Sequence, residues 1–283
     1  MSRAGATVIE RALQVSGFFR KIFSGGFGKK AAVPERVAVQ GPETPATIPS
    51  GLRIYAVGDI HGRADLLGHL LDLINVDALA IPATTRKMAI FLGDYIDRGD
   101  HSREVIDRLL NDPLPGFETV FLKGNHESEM MSFLAQPDPV HGWLQHGGQA
   151  TLFSYRVRAA NRISAQEKMM ELRDGLLKAI PKEHQRFYSD LRLSVALGDY
   201  LFVHAGVRPG VALERQNPVD LMWIREPFLS SPLYHGRMIV HGHTVTERPI
   251  TLPNRIGIDT GAYYSARLTC LVLEGETRRI LST

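Results

Sequence analysis

Five short stretches of the chain place side chains that can bind a metal or move a proton next to glycine. They are Gly58-Asp59-Ile60-His61-Gly62, Gly93-Asp94-Tyr95-Ile96-Asp97-Arg98-Gly99, Gly124-Asn125-His126-Glu127, His204-Ala205-Gly206 and His241-Gly242-His243-Thr244. The donors are carboxylate, imidazole and amide, with no thiol among them. That excludes Cys-rich zinc and iron–sulfur sites and suits manganese, iron, zinc or a similar divalent ion. The donors are too many for one ion, so two ions sharing a bridging carboxylate are expected. Such a pair binds phosphoryl oxygens and lowers the pKa of a shared water, so that hydroxide attacks at neutral pH. A serine hydrolase is disfavoured, because the chain has no G-x-S-x-G elbow.

These residues need elements to hold them. Each stretch follows an apolar run of strand character, such as "LRIYAV", "KMAIFL" and "TVFLK", or "DYLFV" and "RMIV" later on. Ligands of open α/β sheets gather at the carboxyl ends of strands. Early strands alternate with helical patterns: Leu66, Leu67, Leu70, Leu71 and Ile74 fall on one helical face, and "SREVIDRLLN" predicts a second helix. Later strands follow one another closely. The fold class is therefore α/β, with two mixed β-sheets packed face to face and helices outside. Residues 137–190 are helical in pattern and predict a cap over one edge, with Met169 and Met170 as core filling.

The bulk numbers set limits. The chain has 283 residues, 44% of them hydrophobic, enough for one large domain or two small ones. The formal charge of +3 is too small to argue for a nucleic-acid partner, and none is expected. A single cysteine, Cys270, rules out an intrachain disulfide and reads as a buried thiol. No run approaches the roughly 18–20 apolar residues of a membrane span, and Glu10 and Arg11 interrupt any signal-peptide core. A cytoplasmic location is expected. Residues 1–50 read as a basic, Pro-rich tail and linker ahead of a 51–283 catalytic domain. Val8, Leu13, Val15, Phe18, Phe19 and Ile22 could form one stripe of a basic helix that touches a membrane surface or a partner. "GGFGKK" lacks the phosphate-loop pattern and is set aside.

The five motifs, taken in order, resemble the calcineurin-like metallophosphoesterases. More narrowly, they resemble the phosphoprotein phosphatase family in its bacterial serine/threonine phosphatase branch, over about residues 52–265. The resemblance implies a four-layer α-β-β-α sandwich. It assigns Asp59 and His61 to a first metal, Asp94 to the bridge, and Asn125, His204 and His243 to a second, with manganese the expected ion and iron or zinc compatible. His126 would be the general acid, held by Asp97. Arg98, Asn125 and Arg225, the last in "LMWIRE", would bind substrate phosphate. His241 is expected beside the site rather than in it, and His69, His101, His141, His184 and His235 outside it. Asp259, Glu127 and the His146–Gly148 loop are candidates for supporting contacts. The expected activity is hydrolysis of phosphoserine and phosphothreonine, in a phosphoprotein or a small phosphoester. The alternative is symmetrical hydrolysis of a dinucleoside polyphosphate such as diadenosine tetraphosphate. Glu127, where symmetrical tetraphosphatases carry Asp, and the retained Asp97 are the features that favour the phosphatase. A non-catalytic scaffold is the reading of another class, and the full set of donors speaks against it.

Overall fold

The computed structural model describes residues 39–111, 113–140, 142–160 and 164–283. The basic helix expected near the N-terminus lies outside them. The described strands are β1 (Leu52–Val57), β2 (Arg86–Phe91), β3 (Glu118–Phe121), β4 (Ser194–Leu197), β5 (Tyr200–Val203), β6 (Met238–His241), β7 (Ile250–Thr251), β8 (Arg255–Gly257), β9 (Thr269–Glu274) and β10 (Thr277–Ser282). The α-helices are α1 (Ala64–Ala78), α2 (Ser102–Leu110), α3 (Asn125–Ala135), α4 (Gly148–Ser154), α5 (Ala165–Ala179), α6 (Lys182–Asp190), α7 (Pro218–Trp223) and α8 (Ala262–Ser265).

The strands form two five-stranded mixed sheets, ordered β10-β9-β1-β2-β3 and β4-β5-β6-β8-β7. In the first, β1, β2 and β3 run parallel, β9 pairs antiparallel with β1, and β10 pairs antiparallel with β9. In the second, β5, β6 and β8 are parallel, and β4 and β7 are antiparallel edges. β1 is nearly apolar throughout because both its faces are covered. One face meets the second sheet, where Ile54, Ala56, Ile90 and Leu271 pack with Phe202, Val240 and Ile256. The other face meets the helices through Tyr55 and Val57. The expected α1 stripe, Leu66, Leu67, Leu70, Leu71 and Ile74, is buried there. The short helix α7 covers the outer face of the second sheet, with Leu221 against Leu201, Val203 and Ile239. The α/β sandwich read from the strand pattern is present.

The helices of 137–190 lie beside α2 and α3 in the helical layer, and Phe187 of α6 packs on Phe121 of the edge strand β3. Two details differ from the sequence reading. In α5, Leu172 and Leu176 are buried and Met169 packs against the core, but Met170 is 45% exposed. Residues 39–50, grouped with the tail by composition, are part of the packed structure. Ala46 and Ile48 are buried in the core between the sheets. Backbone and side chain of Thr47 both donate to Asp199 Oδ2, and Ile48 N–H donates to the Gly275 carbonyl. Burial of an Ile side chain is worth about 1.5–3 kcal/mol, more than a Pro-rich composition reveals.

Candidate metal centre and active site

The carboxyl ends of the parallel strands converge. β1 delivers Asp59 and His61, β2 delivers Asp94, Asp97 and Arg98, and the first turn of α3 delivers Asn125 and His126. β5 delivers His204 and β6 delivers His243. Asn125, His126, His243, Arg98 and the exposed Arg225 line a cavity of about 440 Å³. The glycines in the motifs let backbone and carboxylate touch. A Cβ on Gly124 would stand 2.1 Å from Asp94 Oδ1, and one on Gly242 2.1 Å from Asp59 Oδ1. Seven described non-glycine residues have positive φ, and five of them are His61, Asp94, Asp97, Arg98 and His243. Left-handed backbone at such residues costs on the order of 1–3 kcal/mol each and persists only where the surroundings enforce it.

Two groups of donors share one carboxylate. His61, Asp94 and His126 form one, and Asp94, His204 and His243 the other, with the donor atoms of each group within 4.8 Å of one another. Hydrogen bonds orient the rings. His61 Nδ1–H donates to the Ile96 carbonyl at 2.9 Å, and His204 Nδ1–H to that of Leu92 at 3.0 Å. Each ring therefore turns the Nε2 lone pair inward. His61 Nε2 lies 3.5 Å from Asp94 Oδ2. His204 Nε2 lies 3.0 Å from Asn125 Oδ1 and 3.5 Å from Asp94 Oδ1. Three acceptors facing one another are an arrangement that a cation relieves. Buried Asp59 Oδ1 and His243 Nε2 have no hydrogen-bond partner, and they too fit ligand positions. The residues thus suit divalent ions, with Asp94 common to both groups.

The charges follow from this crowding. Burial, then the Asp259 and Asp94 carboxylates, push Asp59 well above the usual carboxylate range. Burial opposes ionisation of Asp94 as well, but His204, His126, His61 and His243 outweigh it and hold that carboxyl low. Burial and His204 pull His243 down to about 2, which leaves a neutral imidazole, the metal-binding form. Burial also opposes the charged form of His126, yet the Asp94 and Asp97 carboxylates prevail and push it up to about 9. His126 Nδ1 is 2.7 Å from Asp97 Oδ2, and its Nε2 faces Asp94 Oδ2 at 3.8 Å. Arg98 Nη2 lies 3.2 Å from the same Nε2 and opposes its protonation. Two groups of positive character thus converge on one point, and an anion between them would relieve their repulsion. An imidazole held by a carboxylate in this way has the chemistry to give up a proton from Nε2.

Several supporting residues leave no mark in the motifs. Asp97 accepts from Trp143 Nε1–H at 2.8 Å and from the Thr151 hydroxyl at 2.6 Å, and its own N–H donates to Ser102 and Thr151. Trp143 and Thr151 come from the helical segment, 46 and 54 residues away, and Ser102 from the start of α2. Tyr263 stands beside Arg98 and His61 and lines the cavity. Asp259 accepts from Gly261 N–H, and its carboxylate raises the Asp59 pKa by charge repulsion. In the His146–Gly148 loop, the Gly147 carbonyl accepts from Arg98 N–H. His241 stands apart from both donor groups: Nδ1–H donates to the Gly242 carbonyl and Nε2 accepts from Arg255. His184 is tied to Asp107 and Tyr155, away from the site.

The sheets and the strand-end donors define a phosphoesterase of the metal-dependent kind. The chain belongs to the calcineurin-like phosphoesterase family, whose pattern it matches over residues 52–250. It is 27% identical over 232 residues to the asymmetrical bis(5'-nucleosyl)-tetraphosphatase PrpE of Bacillus thuringiensis, covering 76% of this chain and 88% of that one. It is 28% identical over 248 residues to the PrpE of Anoxybacillus flavithermus, covering 80% and 93%. A crystal structure of a candidate diadenosine tetraphosphatase shares the fold, with a TM-score of 0.55 and 20% identity over 87% of this chain and 97% of that one.

These relatives overturn the expected phosphoserine and phosphothreonine activity. The structure shows why the sequence argument for it fails. Glu127 accepts from the backbone N–H groups of Gly124, Asp94 and Tyr95, at 3.0, 3.0 and 2.8 Å. It braces two loops and faces no substrate. Asp97 is likewise spent on His126, Trp143 and Thr151. Neither residue can tell a phosphoprotein from a dinucleotide. Among the described residues no helix is long and apolar enough to cross a membrane.

Proposed function

We propose that the chain hydrolyses the phosphoanhydride bridge of bis(5'-nucleosyl) tetraphosphates, and that it cuts asymmetrically. Four bridge phosphates divide three and one in that mode, and two and two in the symmetrical mode expected as the alternative. The reaction class rests on one observation, the sharing of Asp94 between two buried donor groups. The substrate class and the direction of cleavage are supported by the names of the relatives.

Asp59, His61 and Asp94 would hold one divalent ion, and Asp94, Asn125, His204 and His243 the other. The ions, when bound, supply Lewis acidity toward phosphoryl oxygens and lower the pKa of water. The remaining work falls to the protein. Arg98 and Arg225 bind phosphate oxygens from the cavity wall, where a guanidinium fork matches phosphate geometry. His126 delivers a proton from Nε2 to the departing oxygen, while Asp97 accepts from Nδ1 and fixes the ring plane. Trp143 and Thr151 fix Asp97 in turn.

The test is product analysis. The Mn²⁺-supplemented protein should convert diadenosine tetraphosphate to ATP and AMP. Two equivalents of ADP would overturn the direction of cleavage. Faster release of phosphate from a phosphothreonine peptide would overturn the substrate class.

A further inference from the structure

We infer that Tyr263 is a positioning residue for Arg98, and that Arg63 is the strut that holds Tyr263 in place. This rests on the reading that Arg98 grips a phosphoryl oxygen. Arg98 is exposed, and a free arginine side chain would sample many rotamers. Here its guanidinium carbon lies 4.7 Å from the centre of the Tyr263 ring, a cation–π contact. The same ring meets His61 edge-on, with centroids 5.6 Å apart. One aromatic side chain therefore spans a metal-ligand candidate and the phosphate clamp.

The pedestal beneath Tyr263 is anchored to the first motif. Arg63 Nη1 donates to the Ala262 carbonyl at 2.8 Å, while its Nε and Nη2 hold Asp65. Gly261 and Ala266 bound the short helix α8 in left-handed conformations. Gly261 N–H donates to Asp259, and the Ser265 hydroxyl donates to the Thr260 carbonyl. The backbone that carries the ring is thus tied at several points. Among the described residues this tie is what links the Arg63 side chain to the site, and it gives that side chain a function.

The experiment is a double-mutant cycle on the full chain with Mn²⁺, using p-nitrophenyl phosphate and diadenosine tetraphosphate in parallel. Tyr263→Leu should raise KM, and the inhibition constant of inorganic phosphate, about threefold to tenfold, the scale of a partly exposed cation–π contact. kcat should move less than about twofold. Tyr263→Phe, which keeps the ring face, should recover most of the loss. In the Arg98→Ala background Tyr263→Leu should add nothing, and Arg63→Met should mimic Tyr263→Leu more weakly. Full additivity of Tyr263→Leu and Arg98→Ala on either substrate, or a Phe variant as impaired as Leu, would overturn the inference. If the Leu variant does not fold, Tyr263→Met carries the same expectations. Turnover of p-nitrophenyl phosphate without cleavage of the dinucleotide would sink the substrate reading alone, and the cycle on the small ester would still decide the role of Tyr263.

Discussion

His126 and His241 are both buried histidines at the carboxyl edge of the sheets, yet they are driven in opposite directions. His126 is pushed up to about 9 and His241 is pulled down to about 3. Burial alone favours the neutral ring in both. At His126 the Asp94 and Asp97 carboxylates reverse that preference. At His241 burial is reinforced by Arg255, which donates to Nε2 at 3.2 Å. One imidazole is prepared to carry a proton, and the other serves as a fixed acceptor that holds a loop. Residue type and depth do not decide the role; the charge of the nearest partner does.

The comparison breaks most sharply at Asp94, the carboxylate that both raises His126 and joins the two donor groups. Asp94→Asn should abolish bound metal, measured by elemental analysis of the purified protein, and leave activity near background. His126→Asn should retain metal but lower kcat roughly 10²- to 10⁴-fold, the range for lost acid–base catalysis. The loss should be larger on an alkyl phosphate than on a phosphoanhydride, because the alkoxide needs the proton more. His241→Asn in the same assay should keep kcat within about threefold.

Asp97→Asn sharpens the contrast through pH. A general acid works only while protonated, so under the proposed role of His126 kcat should fall as pH rises through its pKa. Bound divalent cations oppose the imidazolium, which places that limb at or below about 9. Without the Asp97 carboxylate the limb should move to lower pH, read from a kcat–pH profile.

The smallest effect is on stability, measured by urea unfolding of metal-free protein. The His126 pKa is raised on folding, so its contribution is complete below about 6.5 and is lost as pH rises through about 9. The His241 pKa is depressed, so its contribution is present above about 6.5 and is lost as pH falls toward about 3. That contribution has a slope of about 1.4 kcal/mol per pH unit, and His241→Gln should reduce the acid-side slope by that amount while leaving the alkaline side unchanged.

Local signals explain what could be read from the chain. Asp59, His61, Asp94, Asn125, His204 and His243 announce themselves because each sits within two residues of a glycine at the end of an apolar run, and strand topology then gathers them. α1 was legible from its leucine spacing. The Asp97 partners Trp143 and Thr151 were not, because a contact 46 or 54 residues away leaves no local pattern. The Tyr263–Arg98 contact is hidden for the same reason. Glu127 misled because its type was visible and its direction was not: a carboxylate turned to three backbone N–H groups looks in sequence like one turned to substrate. The packing of Ala46 and Ile48 was masked by prolines that suggested a free linker.

That strap of residues 40–48 crosses the edge where the parallel strands begin. Gln40 N–H donates to the Pro232 carbonyl ahead of β6, Thr47 meets Asp199 ahead of β5, and Ile48 meets the β9–β10 turn. The donors of the metal centre stand at the opposite edge, where those strands end. A handle attached just before Gln40 would therefore hang from the floor of the sandwich and leave the mouth of the cleft clear for immobilisation or labelling. A version trimmed to begin at residue 51 would instead lose the Ile48 plug and expose the apolar seam between the sheets.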